Sequence, residues 1–290
     1  MSLETLVISA AINGFAYGML LFIFASGLSI VFGLMDVLNF AHGAFFMVGT
    51  YLVCSAFEVT HDFVLSLAIV LVVGVVVGAI TEITLLRPLY GRPIFQILLT
   101  LGLFFVIDQL VLSLWGPLGL DIGPAEVGVP QVLSVLGAGI FLYNVLLVGA
   151  GVAAAVVLYL FLNKTNIGTR VRAGSESREL AETFGINIKA LGTVIFGLGT
   201  GLAFFAGGLA EPWVGANLAT STDFLLLGFI VVVVGGMGSF TGSFFGAIVI
   251  GLVYQFSAYF SPQFTFVSDL LIMIVVLILR PSGLFGKGKS

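Results

Sequence analysis

Charge is scarce in this sequence: Lys, Arg, Asp and Glu make up 8% of its 290 residues, whereas a soluble domain has about 25%. The single cysteine, Cys54, lies in an apolar run, so we expect neither a disulfide framework nor a thiolate metal site. The two histidines, His42 and His61, are too isolated to suggest a metal site. We find no phosphate-binding loop and no paired catalytic acids. These absences argue against an enzyme active site, and so few exposed basic residues argue against a nucleic-acid groove.

Apolar residues are abundant instead. They form 60% of the chain, with 28 Phe, 38 Gly and a mean hydropathy of +1.24. Such a composition is typical of transmembrane helices that approach each other at small residues and present aromatics to lipid or to one another. The fold class we predict is all-α, a polytopic transmembrane helical bundle surrounded by membrane lipid.

The ten basic residues fall into three short clusters. They are Arg87 and Arg92; Lys164, Arg170, Arg172, Arg178 and Lys189; and Arg280, Lys287 and Lys289. A basic side chain near the bilayer centre costs about 2.5–3.5 kcal/mol or more, so the clusters mark loops between spans. Excess basic charge also marks the cytoplasmic side.

Nine apolar runs have roughly the length of a membrane span. They cover residues 6–34, 37–57, 63–86, 94–115, 140–162, 191–209, 224–236, 239–260 and 264–279. The acidic breaks at 58–62, 116–139 and 211–223 contain no Lys or Arg and are placed outside. The N-terminus is then outside and the C-terminus cytoplasmic. The run at 224–236 is short, so eight spans plus a re-entrant element near 224–240 is the alternative.

The chain is predicted to be a single transmembrane domain over residues 1–290, with its largest cytoplasmic loop at 163–190. The N-terminal stretch contains Glu4 and no basic region, so we expect the first span, and not a cleaved signal peptide, to direct insertion. No large domain lies outside the membrane in this scheme. Any domain that converts energy or captures ligand must therefore belong to another chain.

The cytoplasmic loop contains a predicted short helix over residues 175–185. Ser175 or Ser177 can cap it, Glu176 and Glu179 suit the positive end of its dipole, and Gly185 suits the position after its C-terminus.

One face of that helix is apolar. Leu180 and Phe184 are four residues apart and form a stripe on an otherwise polar helix. Such a stripe fits docking into a groove of a partner protein. The alternative is a helix that lies on the membrane surface.

Polar residues precede and enter the second span. Asp36, Asn39 and His42 lie within seven residues, and Asn39 can cap the helix that follows. Polar helix ends inside a bundle hold substrate in many transporters. The alternative, favoured by a position near the inner face, is that Asp36 and Asn39 are surface caps and His42 is a packing residue.

Among the intramembrane acids, Asp108 is the most deeply placed, beside Gln109, and it either lines a pathway or contacts a partner subunit. Glu82 lies near Arg87 and is expected to pair with it, and Asp269 lies near the outer end of the last span. A run of glycines from 235 to 251 has small-xxx-small spacing and is interpreted as tight helix packing.

The pattern Glu179-x-Ala181-x-x-x-Gly185 resembles the Glu-Ala-Ala-x-x-x-Gly coupling loop of ABC importer permeases, with Leu180 in place of the middle Ala. The whole chain resembles the branched-chain amino-acid permeases, specifically their LivH-type subunits. The stretches that carry the likeness are 27–51 (GLSIVFGLMDVLNFAHGAFFMVGTY), 87–93 (RPLYGRP), 169–187 (TRVRAGSESRELAETFGIN), 232–252 (VVVGGMGSFTGSFFGAIVIGL) and 280–286 (RPSGLFG).

This resemblance implies one permease subunit of an ATP-driven importer for leucine, isoleucine and valine in the inner membrane. The implied partners are a second permease, of the LivM type, two ATPase subunits that carry out ATP hydrolysis, and a periplasmic binding protein. It assigns coupling to Glu179, Leu180, Ala181, Phe184 and Gly185, and leaves Asn39, His42 and Asp108 as candidates for the pathway.

Three alternatives stay open. The same architecture could carry another small solute, such as urea, short amides or aromatic acids. The second alternative is an ion-coupled carrier or channel, which would need a well-formed intramembrane ion site. The third is a non-transporting scaffold, for which the polar intramembrane residues would have no obvious reason.

Overall fold

The computed structural model describes residues 3–129, 132–135 and 138–286. Its helices are α1 Leu3–Met35, α2 Ala41–Thr60, α3 Phe63–Thr81, α4 Pro93–Trp115, α5 Leu142–Lys164, α6 Asn166–Glu176, α7 Arg178–Thr183, α8 Ile188–Val214, α9 Ala219–Gly235, α10 Phe240–Phe260 and α11 Thr265–Leu279. A π-helical turn, Glu82–Leu86, and a 3-10 turn, Arg87–Leu89, extend α3. The predicted all-α bundle is confirmed.

Eight helical segments of the described chain are long and apolar enough to cross a membrane, namely α1 to α5, α8, α10 and the segment Pro262–Leu279 that contains α11. The helix α9 is apolar but has 17 residues. The prediction of eight or nine spans with a short element near 224–240 is therefore confirmed. The short helix begins at Ala219, five residues earlier than the apolar run suggested, because its first turn is polar.

A small hairpin lies at the end of the segment predicted as an outer loop, 116–139, and extends two residues beyond it, so α5 starts at Leu142 and not at the predicted residue 140. The strands β1 Val132–Val135 and β2 Ala138–Phe141 pair antiparallel, with Val132 opposite Phe141. This hairpin was not predicted from the sequence. Earlier in the same segment, Leu120 exchanges two backbone hydrogen bonds with Ala216 at 2.8 and 3.0 Å, so the segment folds back onto the bundle.

The bounds predicted for the other outer loop, 211–223, are too wide. Helix α8 continues to Val214 and α9 starts at Ala219, so the connection is only four residues long. Glu211 is fully buried in the last turn of α8, where Oε1 accepts a hydrogen bond from the amide of Ile122 at 2.8 Å and Oε2 has no partner among the described residues. A partner from a distant segment thus allows a buried acid inside a helix.

The central helix is α1, which is buried along most of its length and packs against α8, α10, α5 and α9. Small residues allow the close approach. A side chain at Gly251 of α10 would collide with the backbone of Gly18 in α1, and one at Gly246 would meet the carbonyl oxygen of Val231 in α9. The interpretation of the glycine run as tight helix packing is confirmed.

Basic side chains gather at one end of the bundle. Arg178 donates hydrogen bonds to the carbonyl oxygen of Leu34 at the end of α1. Arg87 donates to the hydroxyl of Thr193, at the start of α8. We refer to this as the basic end of the bundle.

The C-terminal segment closes the same end. The amide of Leu284 donates to the carbonyl oxygen of Val234, in the last turn of α9, at 2.8 Å. Gly238, in the turn between α9 and α10, packs on the backbone of Gly33 in α1. The ends of α1, α9 and α11 and the start of α10 therefore meet at the basic end.

Candidate functional site

The loop helix is divided at Ser177. Helix α6 ends at Glu176, Ser177 is extended with φ −156° and ψ 114°, and its hydroxyl accepts a hydrogen bond from the amide of Leu180 at 3.3 Å. Of the two candidate caps, Ser177 caps α7, which confirms the prediction with this cap. The alternative start at Ser175 is wrong, because residues 175 and 176 belong to the end of α6. Glu176 ends α6 and does not lie at the positive end of α7. The cause is the serine hydroxyl, which competes with the helical hydrogen bonds and starts a new helix.

The C-terminus of α7 has the predicted geometry. Gly185 has φ +78°, and its amide donates to the carbonyl oxygen of Glu182 at 2.9 Å. The amide of Ile186 donates to the carbonyl oxygen of Ala181 at 3.0 Å. No heavy atom lies within 4 Å of where a Cβ on Gly185 would be. Backbone conformation, and not space, therefore accounts for glycine here.

Two large apolar side chains of this segment face outward. Leu180 is 62% exposed and Phe184 is 83% exposed, whereas Ala181 between them is 3% exposed. Helix α7 thus packs through its alanine and presents the predicted stripe to its surroundings. Glu179 is exposed in the first turn of the same helix.

Arg178 holds α7 against the bundle. Its Nε and Nη2 donate to the carbonyl oxygen of Leu34 at 3.2 and 2.9 Å. The last carbonyls of a helix have no intrahelical partner, and a cation suits this negative end of the dipole. We missed this role from the sequence, where Arg178 served only as one of five basic residues in its loop.

Asn39 and His42 lie deep in the bundle. The sequence had favoured a position near the inner face, which is wrong. Both are fully buried, and His42 Nε2 lies 3.0 Å from the carbonyl oxygen of Phe24. Phe24 is eleven residues before the end of α1, or about 16 Å at 1.5 Å per residue. The chain reaches this depth because Asp36, with φ 54°, turns the segment after α1 back into the bundle.

The predicted cap at Asn39 is also wrong. The residue before α2 is Phe40, no side chain caps this helix, and the amide oxygen and nitrogen of Asn39 have no hydrogen-bond partner among the described residues. The Nδ1 atom of His42 likewise has none. Buried polar atoms without partners are costly and therefore mark positions of functional interest.

Asp108 is half-buried on α4 and lies next to α9. Its Oδ2 is 3.3 Å from the hydroxyl of Ser221, which also lies 2.8 Å from the carbonyl oxygen of Leu218. Its Oδ1 is buried without a partner. The backbone of Gly43, at the start of α2, packs directly on the carbonyl of Ser221. Ser221, which the sequence did not single out, therefore lies where α2, α4 and α9 meet.

The other intramembrane acids occupy opposite ends. Glu82 forms a two-point salt bridge with Arg87, with a nitrogen–oxygen distance of 2.7 Å, and it also accepts hydrogen bonds from Tyr90 and Thr193. The predicted pair is confirmed. Burial and the hydrogen bond to Glu82 raise the pKa of Tyr90 above its usual range. Asp269 is fully buried in the second turn of α11, without a hydrogen-bond partner among the described residues.

The sequence of the chain matches the model of one protein family. Residues 10–279 match the model of a family described as "Branched-chain amino acid transport system / permease component". The chain is 30% identical to the probable branched-chain amino acid transport permease protein LivH of Methanocaldococcus jannaschii, over 98% of this chain and 93% of the relative.

Two further relatives have similar coverage. The chain is 25% identical to the high-affinity branched-chain amino acid transport system permease protein LivH of Escherichia coli K12 and 25% identical to BraD of Pseudomonas aeruginosa. Both alignments cover 95% of this chain and 94% of the relative. No solved structure gives a significant match.

Proposed function

The chain belongs to the family of branched-chain amino acid transport permeases, and on that premise we propose that it forms half of the translocation pathway of an ATP-driven importer for leucine, isoleucine and valine. The family is one of transport permeases and not of enzymes. The chain is a multi-pass membrane protein with eight long apolar helices in its described part. ATP hydrolysis is assigned to separate ATPase subunits.

The observation that carries this proposal is the exposed apolar stripe of Leu180 and Phe184 at the basic end of the bundle. Exposed side chains of this size are stabilised when a partner covers them, by roughly 1.5–3 kcal/mol for each one fully buried. A groove on an ATPase subunit suits a two-residue stripe of this kind. Glu179 lies on the same short helix, where a basic residue of the partner could pair with it.

Residues 1–290 are proposed to act as one permease domain, with the basic end on the cytoplasmic side. Two connections at that end and the segment after α11 contain Lys or Arg, and excess basic charge marks the cytoplasmic face. The N-terminus is then outside. The ATPase subunits would meet α7 from the cytoplasm, and a periplasmic binding protein would approach the opposite end.

Movement of α7 is proposed to reach the bundle through α1. Arg178 ties α7 to the carbonyl of Leu34 in the last turn of α1, and Gly33 in the same turn packs on Gly238 between α9 and α10. A shift of α7 would therefore displace the ends of α1, α9 and α10 together. This contact supplies a physical route from ATPase closure to a change in the bundle.

The pathway is proposed to run beside α2, from Asp108 at the meeting point of α2, α4 and α9 to the buried ring of His42, which faces α1. Asn39, His42 and Asp108 all carry buried polar atoms without partners. The neighbouring face of α4 is exposed, with Phe105 62% and Leu110 53% accessible. A second permease subunit, of the LivM type, would cover this face, and the two chains would enclose the pathway between them.

Transport by the reconstituted complex tests the function. The chain, co-purified with its accompanying subunits and placed in proteoliposomes with the binding protein outside, should accumulate leucine only when ATP is inside. An excess of isoleucine or valine should compete, and urea should not. Accumulation driven by an ion gradient without ATP would identify a secondary carrier, and competition by urea or amides would reassign the substrate.

Substrate recognition is assigned mainly to the binding protein. The purified permease should therefore bind leucine, isoleucine and valine weakly. Sub-micromolar binding by this chain alone, measured by equilibrium dialysis, would contradict that assignment.

A further inference from the structure

Two adjoining cavities lie between α5 and α10 on the outside of the bundle. The first, of about 310 Å³, is at the basic end, and its polar lining includes Arg172, Asn163 and Ser175. The second, of about 390 Å³, has an apolar lining that includes Ala155, Val156 and Phe244. Tyr159, Phe240 and Thr241 line both. The two cavities therefore form one continuous site with a polar head and an apolar groove.

The polar head is built to hold an anion. Of the described residues that line the polar head, only Arg172 carries a charge. Its Nη1 donates to Asn163 Oδ1 at 2.6 Å, and within the described residues its guanidinium forms no salt bridge. The first turn of α10, a helix of 21 residues capped by Ser239, also reaches this cavity at Phe240 and Thr241. Amides of a first helical turn have no intrahelical acceptor and favour negative charge.

The apolar groove runs along membrane-spanning helices. Val156, Tyr159 and Leu160 of α5 are 51%, 53% and 47% exposed, so this wall faces what surrounds the bundle. Tyr159 lies five residues before Lys164 at the end of α5, a position typical of an interfacial tyrosine. From that level the groove extends toward Ala155, deeper along the span.

We propose that this site binds an anionic phospholipid of the cytoplasmic leaflet, with its phosphate beside Arg172 and an acyl chain between α5 and α10. Charge complementarity selects this occupant, because the cytoplasmic leaflet is anionic and basic pockets between transmembrane helices bind acidic headgroups. A bound phosphate would contact α6, which leads directly into α7. The orientation is that of the proposed function, but the site itself requires no transport activity.

Lipid retention tests the site directly. The full-length chain, purified in neutral detergent with the subunits that accompany it, is incubated with dioleoylphosphatidylglycerol or dioleoylphosphatidylcholine, and bound lipid per chain is measured by native mass spectrometry. The phosphatidylglycerol should be retained preferentially. Arg172→Gln should weaken its binding about fivefold, the factor that corresponds to roughly 1 kcal/mol for one basic residue at an anionic surface.

Matched variants separate the two parts of the site. Arg170→Gln removes an exposed charge that does not line the cavity and should leave retention unchanged. Arg172→Lys keeps the charge and should retain more phosphatidylglycerol than Arg172→Gln does. Ala155→Trp fills the groove and should reduce retention while the polar head stays intact. Elution as a single symmetrical peak checks folding.

Four results would overturn the proposal. Equal retention of the two lipids, or full retention by Arg172→Gln, would show that Arg172 selects no headgroup. Displacement of the lipid by inorganic phosphate at millimolar concentration, with Ala155→Trp behaving as wild type, would identify a free-anion site. Protection of a cysteine at position 156 by an accompanying subunit, with no lipid retained, would identify a protein interface. None of these depends on leucine uptake, so failure here leaves the proposed function untouched.

Discussion

The guanidinium of Arg178 donates two hydrogen bonds to the carbonyl oxygen of Leu34, across 144 residues of sequence. Hydrogen bonds to a charged group contribute about 1.5–3 kcal/mol. Because Leu34 lies in the last turn of the central helix, this contact joins the loop helix to the core of the bundle. The proposed transmission of movement from α7 to α1 depends on this contact.

Replacing Arg178 should uncouple transport from ATP hydrolysis. Arg178→Lys keeps the charge but loses the planar fork that reaches one carbonyl twice. We expect the ATPase subunits to remain bound while leucine uptake per ATP falls several-fold, and Arg178→Met should lower it further. Arg170→Lys, at an exposed position on α6, is the control. Normal uptake per ATP in Arg178→Met would contradict the proposed route through α1.

The apolar stripe should carry much of the ATPase docking. Phe184→Asp exchanges a side chain that is 83% exposed in this chain for a charge, so the free permease should fold and insert normally. Burial of a Phe contributes roughly 1.5–3 kcal/mol, so docking should weaken at least about tenfold. Co-purification of the ATPase and leucine uptake should be lost together, and Phe184→Leu should retain both. Substrate-stimulated hydrolysis at the normal rate in Phe184→Asp would mean that α7 is not the coupling element.

Gly185 should tolerate asparagine better than valine. The left-handed conformation at φ +78° costs an ordinary residue about 1–2 kcal/mol, and Asn adopts it more readily than β-branched residues. Since nothing lies within 4 Å of a Cβ there, the difference between the two variants reports backbone conformation alone. Gly185→Val should lower ATPase association and uptake, and Gly185→Asn should stay close to wild type. Equal loss in both would point to direct contact with the partner at this position.

Asp108 and Ser221 should behave as a pair. Asp108→Asn and Ser221→Ala each disturb the same 3.3 Å contact, so each should lower leucine uptake and their effects should not add. Subunit content should be unchanged. Gln109→Ala, at the exposed neighbouring position, serves as the control. If Asp108→Asn instead lowers the yield of the second permease in the purified complex, Asp108 belongs to the subunit contact and not to the pathway.

Cysteine labelling should reveal the orientation. In a Cys54→Ala background, single cysteines at positions 60, 128 and 219 should react with an impermeant reagent from outside, and those at 90, 175 and 290 only after the membrane is opened. Position 219 is used because Ala219 is exposed, whereas the nearby Ala216 is buried. Cys54 is 3% exposed, which makes the background replacement a small change of a buried side chain. Reaction at position 175 from the periplasm would reverse the proposed topology.

The class of the protein and much of the loop helix could be predicted from the sequence. The exclusion of charge from apolar runs and the run length needed to span a bilayer are local properties. They placed the ends of the long apolar helices within five residues, but not helix α6, which lies in the polar loop. The cap at Ser177, the glycine at 185 and the spacing of Leu180 and Phe184 are also decided within one or two turns of chain.

Tertiary structure alone decided where the polar residues lie. Asp36, with φ 54°, turns the chain back into the bundle and so buries Asn39 and His42. The lengths of apolar runs do not predict such a turn. The partner of Glu211 is an amide 89 residues away, and Ser221 meets Asp108 across 113 residues. The sequence determined which segments can enter a membrane, because the free energy of removing a side chain from water depends on that side chain and its close neighbours. Which buried polar groups find partners depends on segments that only folding brings together.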